Sequence, residues 1–416
     1  MRRSHHFRKD VIEIQKITVV DACMGRGKSS AAIRYMNDHK GEKCFLYITP
    51  YLAEVDRVCE LCDFDEPGCD YRCKSIALKA MLQRRKNIAS THSLFSIMDD
   101  EALEIVKQQG YTLIIDESIP VINGVLVTNK DKEMLLENCI SVGDNGRVEW
   151  IDETYEGKFE GYMEMAKHGD LYYYAGSFFE LMPTNRFSSF DKVFMLTYMF
   201  DGQIQKAYMD FFDMEYEIVG VECDERGFFF SDRPDEPPPV DYAKLIHIVN
   251  RGKILDVGDQ RTALSASWFK SRSANDPDIR KLKNNLRNFL DRMTADVPGS
   301  CLWTTFKEHK EWLYGPKKRY SEKYLSLNAR ATNAYRDATR VAYLANRFID
   351  PNYIKFFSQK DICISHDQFA LSEMLQFIWR SAIRDGKEIH VYIPSHRMRW
   401  LLTQWIHKDQ KKGKKR

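Results

Sequence analysis

Two clusters of residues in the amino-terminal part of the chain have the types and spacing needed to handle a phosphate group. In the first, an apolar run at 17–20 leads into Ala22, Gly25, Arg26, Gly27, Lys28, Ser29 and Ser30, and a helix-forming run follows at 31–36. Glycines at 25 and 27 let the backbone curl so that successive N–H groups face the β- and γ-phosphates of a nucleotide, and the start of a helix adds partial positive charge. Lys28 would neutralise phosphate charge, and the Ser29 hydroxyl would complete a Mg position. In the second cluster, an apolar run at 111–115 ends in Asp116 and Glu117. One carboxylate at such a strand end can hold the metal's water shell and the other can polarise an attacking water. On this reading the acidic strand lies beside the strand that carries the phosphate loop.

Two further groups have chemical potential. Cys59, Cys62, Cys69 and Cys73 fall within a short segment with a Pro-Gly turn between the pairs. Four thiolates there could wrap a tetrahedral zinc. Cys59 and Cys62 equally fit one face of an amphipathic helix, where cysteine acts as a small hydrophobe. Near the carboxyl end, 371–386 reads as one helix ended by Gly386, with Gln376, Arg380 and Arg384 recurring every four residues so that they share a face.

The elements that must position these groups alternate. Apolar strands are expected at 14–21, 43–49, 86–90, 111–115 and 192–197, separated by helices, which is the pattern of a parallel α/β sheet. A second series is expected at 245–249, 300–306, 323–327, 340–344, 362–365 and 388–393. Between the two series the proline-rich segment 231–240 favours extended chain and marks a boundary. The expected organisation is a first domain at 1–230 with an inserted elaboration near 121–190, a linker at 231–242, a second domain at 243–405 and a basic tail at 406–416. With 44% hydrophobic residues and 12% aromatics, 416 residues are enough for two cores. A net charge of +2 excludes a uniformly basic nucleic-acid binder, so such contacts must come from locally placed Lys and Arg. No apolar run approaches a membrane span, and ten cysteines without a secretory leader point to a reducing, cytoplasmic setting.

The Ala22-x-x-Gly25-x-Gly27-Lys28-Ser29 loop and the Asp116-Glu117-Ser118-Ile119 box resemble those of superfamily 2 helicases of the DEAD/DEAH-like kind. Asn333 and Arg336-Asp337 before a strand look like the form found in phage and herpesvirus origin-type replication helicases. The resemblance spans most of the chain and implies an α/β fold of two RecA-like P-loop domains in tandem with parallel sheets, binding ATP and Mg. It implies that Thr49, Thr91 and His92 in the first domain, and Thr304, Thr305 and Asn333 in the second, hold single-stranded nucleic acid, with DNA favoured. It also implies that Asp337 holds the ribose or positions an arginine, and that the segment after Thr197 couples hydrolysis to strand contact. Gln376, Arg380 and Arg384 would form the final motif with its arginine finger, although the gap between the arginines is one residue longer than the family's. The expected activity is a nucleic-acid-stimulated ATPase, a DNA helicase or translocase of phage replication, in the host cytoplasm and with replication proteins as partners. The alternatives are an RNA helicase, a DNA-packaging ATPase and an adaptor with a vestigial ATP site. No carboxylate cluster of a packaging nuclease follows the linker, and Lys28, Ser29, Asp116 and Glu117 are all in place against the adaptor.

Overall fold

A computed structural model of the chain describes residues 17–68, 73–234, 240–327 and 334–413, the last six of these by backbone alone. Five residues of the proline-rich linker, 235–239, thus lie outside the described residues. The strands in chain order are β1 (Ile17–Asp21), β2 (Cys44–Thr49), β3 (Ile88–Thr91), β4 (Tyr111–Asp116), β5 (Ile122–Val125), β6 (Ile140–Val142), β7 (Val148–Trp150), β8 (Leu171–Tyr174), β9 (Ser177–Leu181), β10 (Lys192–Thr197), β11 (Tyr216–Asp224), β12 (Gly227–Ser231), β13 (Ile246–Ile248), β14 (Ser300–Thr304), β15 (Ala338–Tyr343) and β16 (Ile389–Tyr392). They form two α/β units, so the expected tandem α/β architecture is the one observed. The first unit comprises residues up to Val20, 28–197 and 208–234; the second comprises 21–27, 198–207 and 235–416.

The first unit is built on a sheet of order β12-β11-β1-β10-β4-β2-β3, parallel except for the β11–β12 hairpin at its edge. Its central strands are mostly apolar because helices cover both faces of a parallel sheet; β2 and β4 are buried at every residue, Thr49, Thr112 and Asp116 included. β10 lies between β1 and β4, which corrects the expectation that the acidic strand adjoins the loop strand. The strands from β1 to β3 and β10 all run the same way, so their carboxyl ends still open on one edge. β11 and β12, with their alternating segments, were not foreseen; they extend the sheet beyond β1.

Between β4 and β10 the chain forms an antiparallel sheet β5-β9-β8 and a ribbon β6-β7. Leu135, Cys139, Ile140, Val148, Phe159, Leu171 and Phe178 give this segment a core of its own.

The second unit's sheet, β13-β16-β15-β14, is parallel throughout. One face packs with the helix His366–Ile378 through Met374, Phe377 and Ile378, and the other with the helix Pro277–Asn288 through Ile279, Leu282 and Leu286. Two expected strands are absent. At 323–327 a 3-10 turn leads to Tyr324, which makes only an isolated bridge with Trp303. At 362–365 the chain instead enters a helix, because the Ser365 hydroxyl caps it by accepting from the Gln368 N–H at 3.3 Å. Gly258 closes the turn Lys253–Gly258 against the chain leaving β16: a Cβ there would stand 1.9 Å from the Pro394 carbonyl oxygen. Backbone cannot yield as a side chain can. Gly258→Ala is therefore expected to destabilise the protein by about 1–3 kcal/mol, read as a lower midpoint in chemical denaturation.

Candidate functional site

The turn after β1 folds as its glycines require. Gly25 and Gly27 adopt φ of +80° and +79°, a region that costs other residues strain, and a helix, α1 (Lys28–Asp38), starts immediately. The Arg26 N–H closes the loop on the Cys23 carbonyl at 3.3 Å, and open space lies over Gly25, where a Cβ would meet nothing within 4 Å. Ala22 is buried at the start of the loop. Lys28, Ser29 and Ser30 thus form the first turn of α1, where N–H groups have no helical partner.

Across the sheet edge, the Ser29 hydroxyl donates to Asp116 Oδ1 at 3.3 Å, so loop and acidic strand do meet despite the intervening β10. Asp116 is buried, and its carboxyl is pushed up to about 7, first by burial and then by the neighbouring Glu117 and Glu54 charges; Tyr47 and Lys28 oppose the rise. The Tyr47 hydroxyl is itself buried without a partner at hydrogen-bonding geometry, so its hold on Asp116 is electrostatic at most. Glu54 is compensated by Arg57 and Glu117 by the Tyr51 hydroxyl, which leaves Asp116, with the Ser29 hydroxyl beside it, as the carboxyl group placed to meet a cation. Within the first unit, Lys28 is the group that could meet a phosphate, and the Ser29 hydroxyl with Asp116 the oxygens that could meet its metal.

Glu117 sits just beyond the strand at φ +64°, with its N–H bonded to the Leu196 carbonyl of β10 at 3.0 Å. Its Oε1 accepts from the Tyr51 hydroxyl. Tyr51 precedes a helix, α2 (Leu52–Cys62), whose first turns also carry Glu54 and Arg57. Arg57 pairs with Glu54 at 2.6 Å and reaches the Ser30 hydroxyl at 3.4 Å. Tyr51, Glu54 and Arg57 were not singled out from sequence. The one available signal was their place after β2, whose carboxyl end faces the same edge as β1 and β4.

The strand-end residues expected to touch nucleic acid behave differently from one another. Thr49 and Thr304 are fully buried, with hydroxyls that lack hydrogen-bond partners, and the buried Thr305 hydroxyl donates to the Leu344 carbonyl at 3.1 Å. These side chains offer no surface to a strand. Thr91 caps the short helix His92–Ser96 by accepting from the Leu94 N–H at 3.4 Å, and His92 is buried in its first turn. Asn333 lies outside the described residues. Asp337 lies before β15, at the amino edge of a parallel sheet, where its carboxylate accepts from the Ser300 hydroxyl at 3.0 Å. That is the edge opposite the carboxyl strand ends where ligands of open α/β sheets bind, so the ribose role is withdrawn. After Thr197, within the second unit, the Phe200 N–H donates to Asp21 Oδ2 at 3.1 Å.

Gln376, Arg380 and Arg384 do not share a helix. The helix ends at Ile378; the buried Ser381 hydroxyl takes the Ile378 carbonyl at 2.6 Å, and Trp379 packs edge-on against Tyr242 and Trp405. Arg384 falls in a separate 3-10 turn, Ala382–Asp385, which Gly386 ends at φ +69°. Only Gln376 remains on the helix.

The cysteines favour the core reading over zinc. Cys62 is buried at the end of α2 with its Sγ toward the Ile33 carbonyl at 3.9 Å, and burial raises both the Cys59 and Cys62 thiols to about 11, against the thiolate a metal needs. Cys73 is exposed ahead of the helix Lys74–Gln83, and Cys69 lies outside the described residues. No group of three or more His, Cys, Asp or Glu suited to a metal occurs among the described residues. No helix among them is long and apolar enough to cross a membrane.

Comparison with known proteins adds three findings. Among solved structures, the chain is similar to one titled XPD_APO, at 10% identity and TM-score 0.49 over 95% of both chains, and to Xpd4 of S. tokodaii, at 13% and 0.47 over 94% of both. The family described as the YonV middle domain matches residues 122–180, and that described as the YonV C-terminal Rossmann-like domain matches 240–406. The SPbeta prophage-derived uncharacterized protein YonV of Bacillus subtilis (strain 168) is 36% identical over 411 residues, covering 94% of this chain and 99% of that one. By this relationship along nearly its whole length, the chain belongs to the YonV family.

Proposed function

We propose that the protein is an ATP-dependent motor on nucleic acid, a helicase or translocase with single-stranded DNA as its track. The observation that carries the hydrolytic part is the meeting of Ser29 with Asp116 beside a separately held Glu117. Bound Mg-ATP would supply a phosphoryl group whose developing charge the metal spreads. The chain's own residues do the rest. Lys28 and the loop N–H groups hold phosphate, Ser29 and Asp116 hold the metal, and Glu117 takes the proton of the attacking water. Arg26 and Ser30 complete the loop.

Gln376, Arg380 and Arg384 are the candidates for the polar residue and arginine finger of the second unit. We assign the domains as 1–230 with an insertion near 121–190, 243–405 and a basic tail at 406–416, joined by a linker at 231–242. Contacts to the strand are assigned to the segments that carry Thr49, Thr91, His92, Thr304 and Thr305, and to Asn333. The prophage origin of the Bacillus relative supports a phage setting, and a role in DNA replication is proposed from the helicase-like motifs alone.

The test is phosphate release measured with single-stranded DNA, duplex DNA, RNA and no nucleic acid, for the wild type and Lys28→Ala. Wild-type turnover should rise most with single-stranded DNA. Lys28→Ala should lower it by at least about a hundredfold, since one charged contact to the transferring phosphates is removed. Equal rates for the two proteins would end the motor reading and leave a binding adaptor.

A further inference from the structure

Beside the open edge of the second sheet, two segments gather positive charge. Residues 276–293 and 307–323 together carry eleven Lys and Arg against six Asp and Glu, a net charge of +5, where the whole chain carries +2. The segments lie side by side. Leu313 shares a core cluster with Leu282 and Leu286 of the helix Pro277–Asn288, the Tyr320 hydroxyl donates to Asp291 at 2.6 Å, and Arg319 pairs with the same carboxylate at 3.2 Å. The Trp303 indole N–H donates to the Tyr320 carbonyl at 2.8 Å, which sets the second segment along the outer side of β14, the last strand of its sheet.

The helix turns Ile279, Leu282 and Leu286 into the core, so Arg280, Lys283 and Arg287, at helical spacing on the other side, face outward. Most carboxylates that could answer these cations are already engaged. Asp276 and Asp278 pair with Arg272, and Asp291 is shared by Arg287, Arg319 and the Tyr320 hydroxyl. Arg280, Lys283, Lys317 and Lys318 make no ion pair among the described residues. Lys317 and Lys318 are exposed and adopt φ of +52° and +56° in succession. Glycine would take that backbone without strain, so the turn gives up stability and keeps two ammonium groups in solvent.

A protein interface needs an apolar centre, and a membrane surface needs apolar side chains to insert. Met293 is the one large apolar side chain exposed on these two segments, and Asn284 is exposed between Arg280 and Arg287. Unpaired cations with polar residues among them suit a polyanion of regular charge.

We propose that this surface binds the phosphodiester backbone of a nucleic acid through Arg280, Lys283, Arg287, Lys317, Lys318 and Arg319, without reading bases. The inference stands apart from the hydrolytic reading, because binding is measured without nucleotide.

The experiment follows fluorescence anisotropy of labelled single-stranded and duplex DNA, each in two unrelated sequences, with the full-length chain over a series of salt concentrations. Lys317→Gly/Lys318→Gly and Arg280→Gln/Lys283→Gln are compared with wild type and with Lys107→Gln/Lys130→Gln, which removes two charges from the first unit. In the first two variants the affinity for at least one form of DNA should fall about tenfold, equally for both sequences, and the dependence of log affinity on log salt should weaken by about 1–2. Lys107→Gln/Lys130→Gln should stay near wild type. The glycine variant relieves two strained positions, so its thermal midpoint should hold or rise while its affinity falls, which a folding defect cannot produce. Unchanged affinity in both variants, an equal loss in Lys107→Gln/Lys130→Gln, a loss for one sequence only, or a wild type that binds neither form overturns the proposal. Loss of ATP hydrolysis in Lys28→Ala bears on the motor reading alone.

Discussion

Glu117→Gln is expected to lower ATP hydrolysis by about a hundred- to ten-thousandfold, the range that general-base removal commonly produces. Nucleotide binding should survive, because the contacts assigned to phosphate and metal come from Gly25, Gly27, Lys28, Ser29 and Asp116. The amide retains an oxygen that can accept from Tyr51, and the backbone that places residue 117 depends on the Leu196 carbonyl, which the substitution leaves alone. Single-turnover hydrolysis and binding of a fluorescent ATP analogue separate the two effects. Hydrolysis within a few-fold of wild type would remove Glu117 from the role of base. Loss of binding with loss of turnover would mean that the pair acts as one metal site instead of as metal holder and base.

Arg397→Ala is expected to destabilise the protein by about 3–5 kcal/mol, with a thermal midpoint lower by about 10 °C. The guanidinium is buried and uses its donors fully. It bonds to Asn346 Oδ1 at 2.9 Å, the Arg347 carbonyl at 2.8 Å, the His366 carbonyl at 2.8 Å and Asp367 at 2.7–2.8 Å, and lies 4.3 Å from the centre of the Phe348 ring. The Asp367 carboxylate is half exposed, so that pair contributes little. The main loss comes from Asn346 and the two carbonyls, which would stay enclosed without donors. Asn346 is fully buried and also holds the Arg261 and Ala263 carbonyls, so removing Arg397 loosens the turn after β15 from two sides. Arg397→Lys should recover only part of the stability, since one ammonium cannot replace a planar fork with four acceptors around it. Differential scanning calorimetry on the three proteins measures this; a midpoint for Arg397→Ala within about 2 °C of wild type would show that water replaces the lost donors.

Much of the candidate site was legible because the chemistry it would need is local. A phosphate loop needs its glycines, lysine and serine in a fixed order between a strand and a helix, so residues 22–30 announce the element they belong to. Asp116 and Glu117 stand where an apolar strand stops. The helix at 371–386 was harder, because a charged row at a spacing of four suits a helix whether or not the chain continues as one. Ser381 and Trp379 end it through a buried hydroxyl and a tertiary ring packing, neither of which is visible in periodicity. The strands expected at 323–327 and 362–365 failed for the same reason: their apolar residues are satisfied by packing and a cap instead of by a ladder. Arg397 gave no signal either, because a lone arginine in a helical run reads as surface.

What the sequence determined alone was the α/β character of the two units and the set of groups proposed to bind phosphate and metal. The tertiary structure decided which groups meet. Strand order placed β10 between β1 and β4 and yet brought Ser29 to Asp116, since parallel strands gather their carboxyl ends at one edge. It gave Glu117 a partner, Tyr51, from a strand whose turn carried no recognisable phosphate chemistry. It also removed Asp337 from the candidate site by setting it at the opposite edge of its sheet. Residue type is written in the chain; proximity between distant residues comes only from the order in which strands pack.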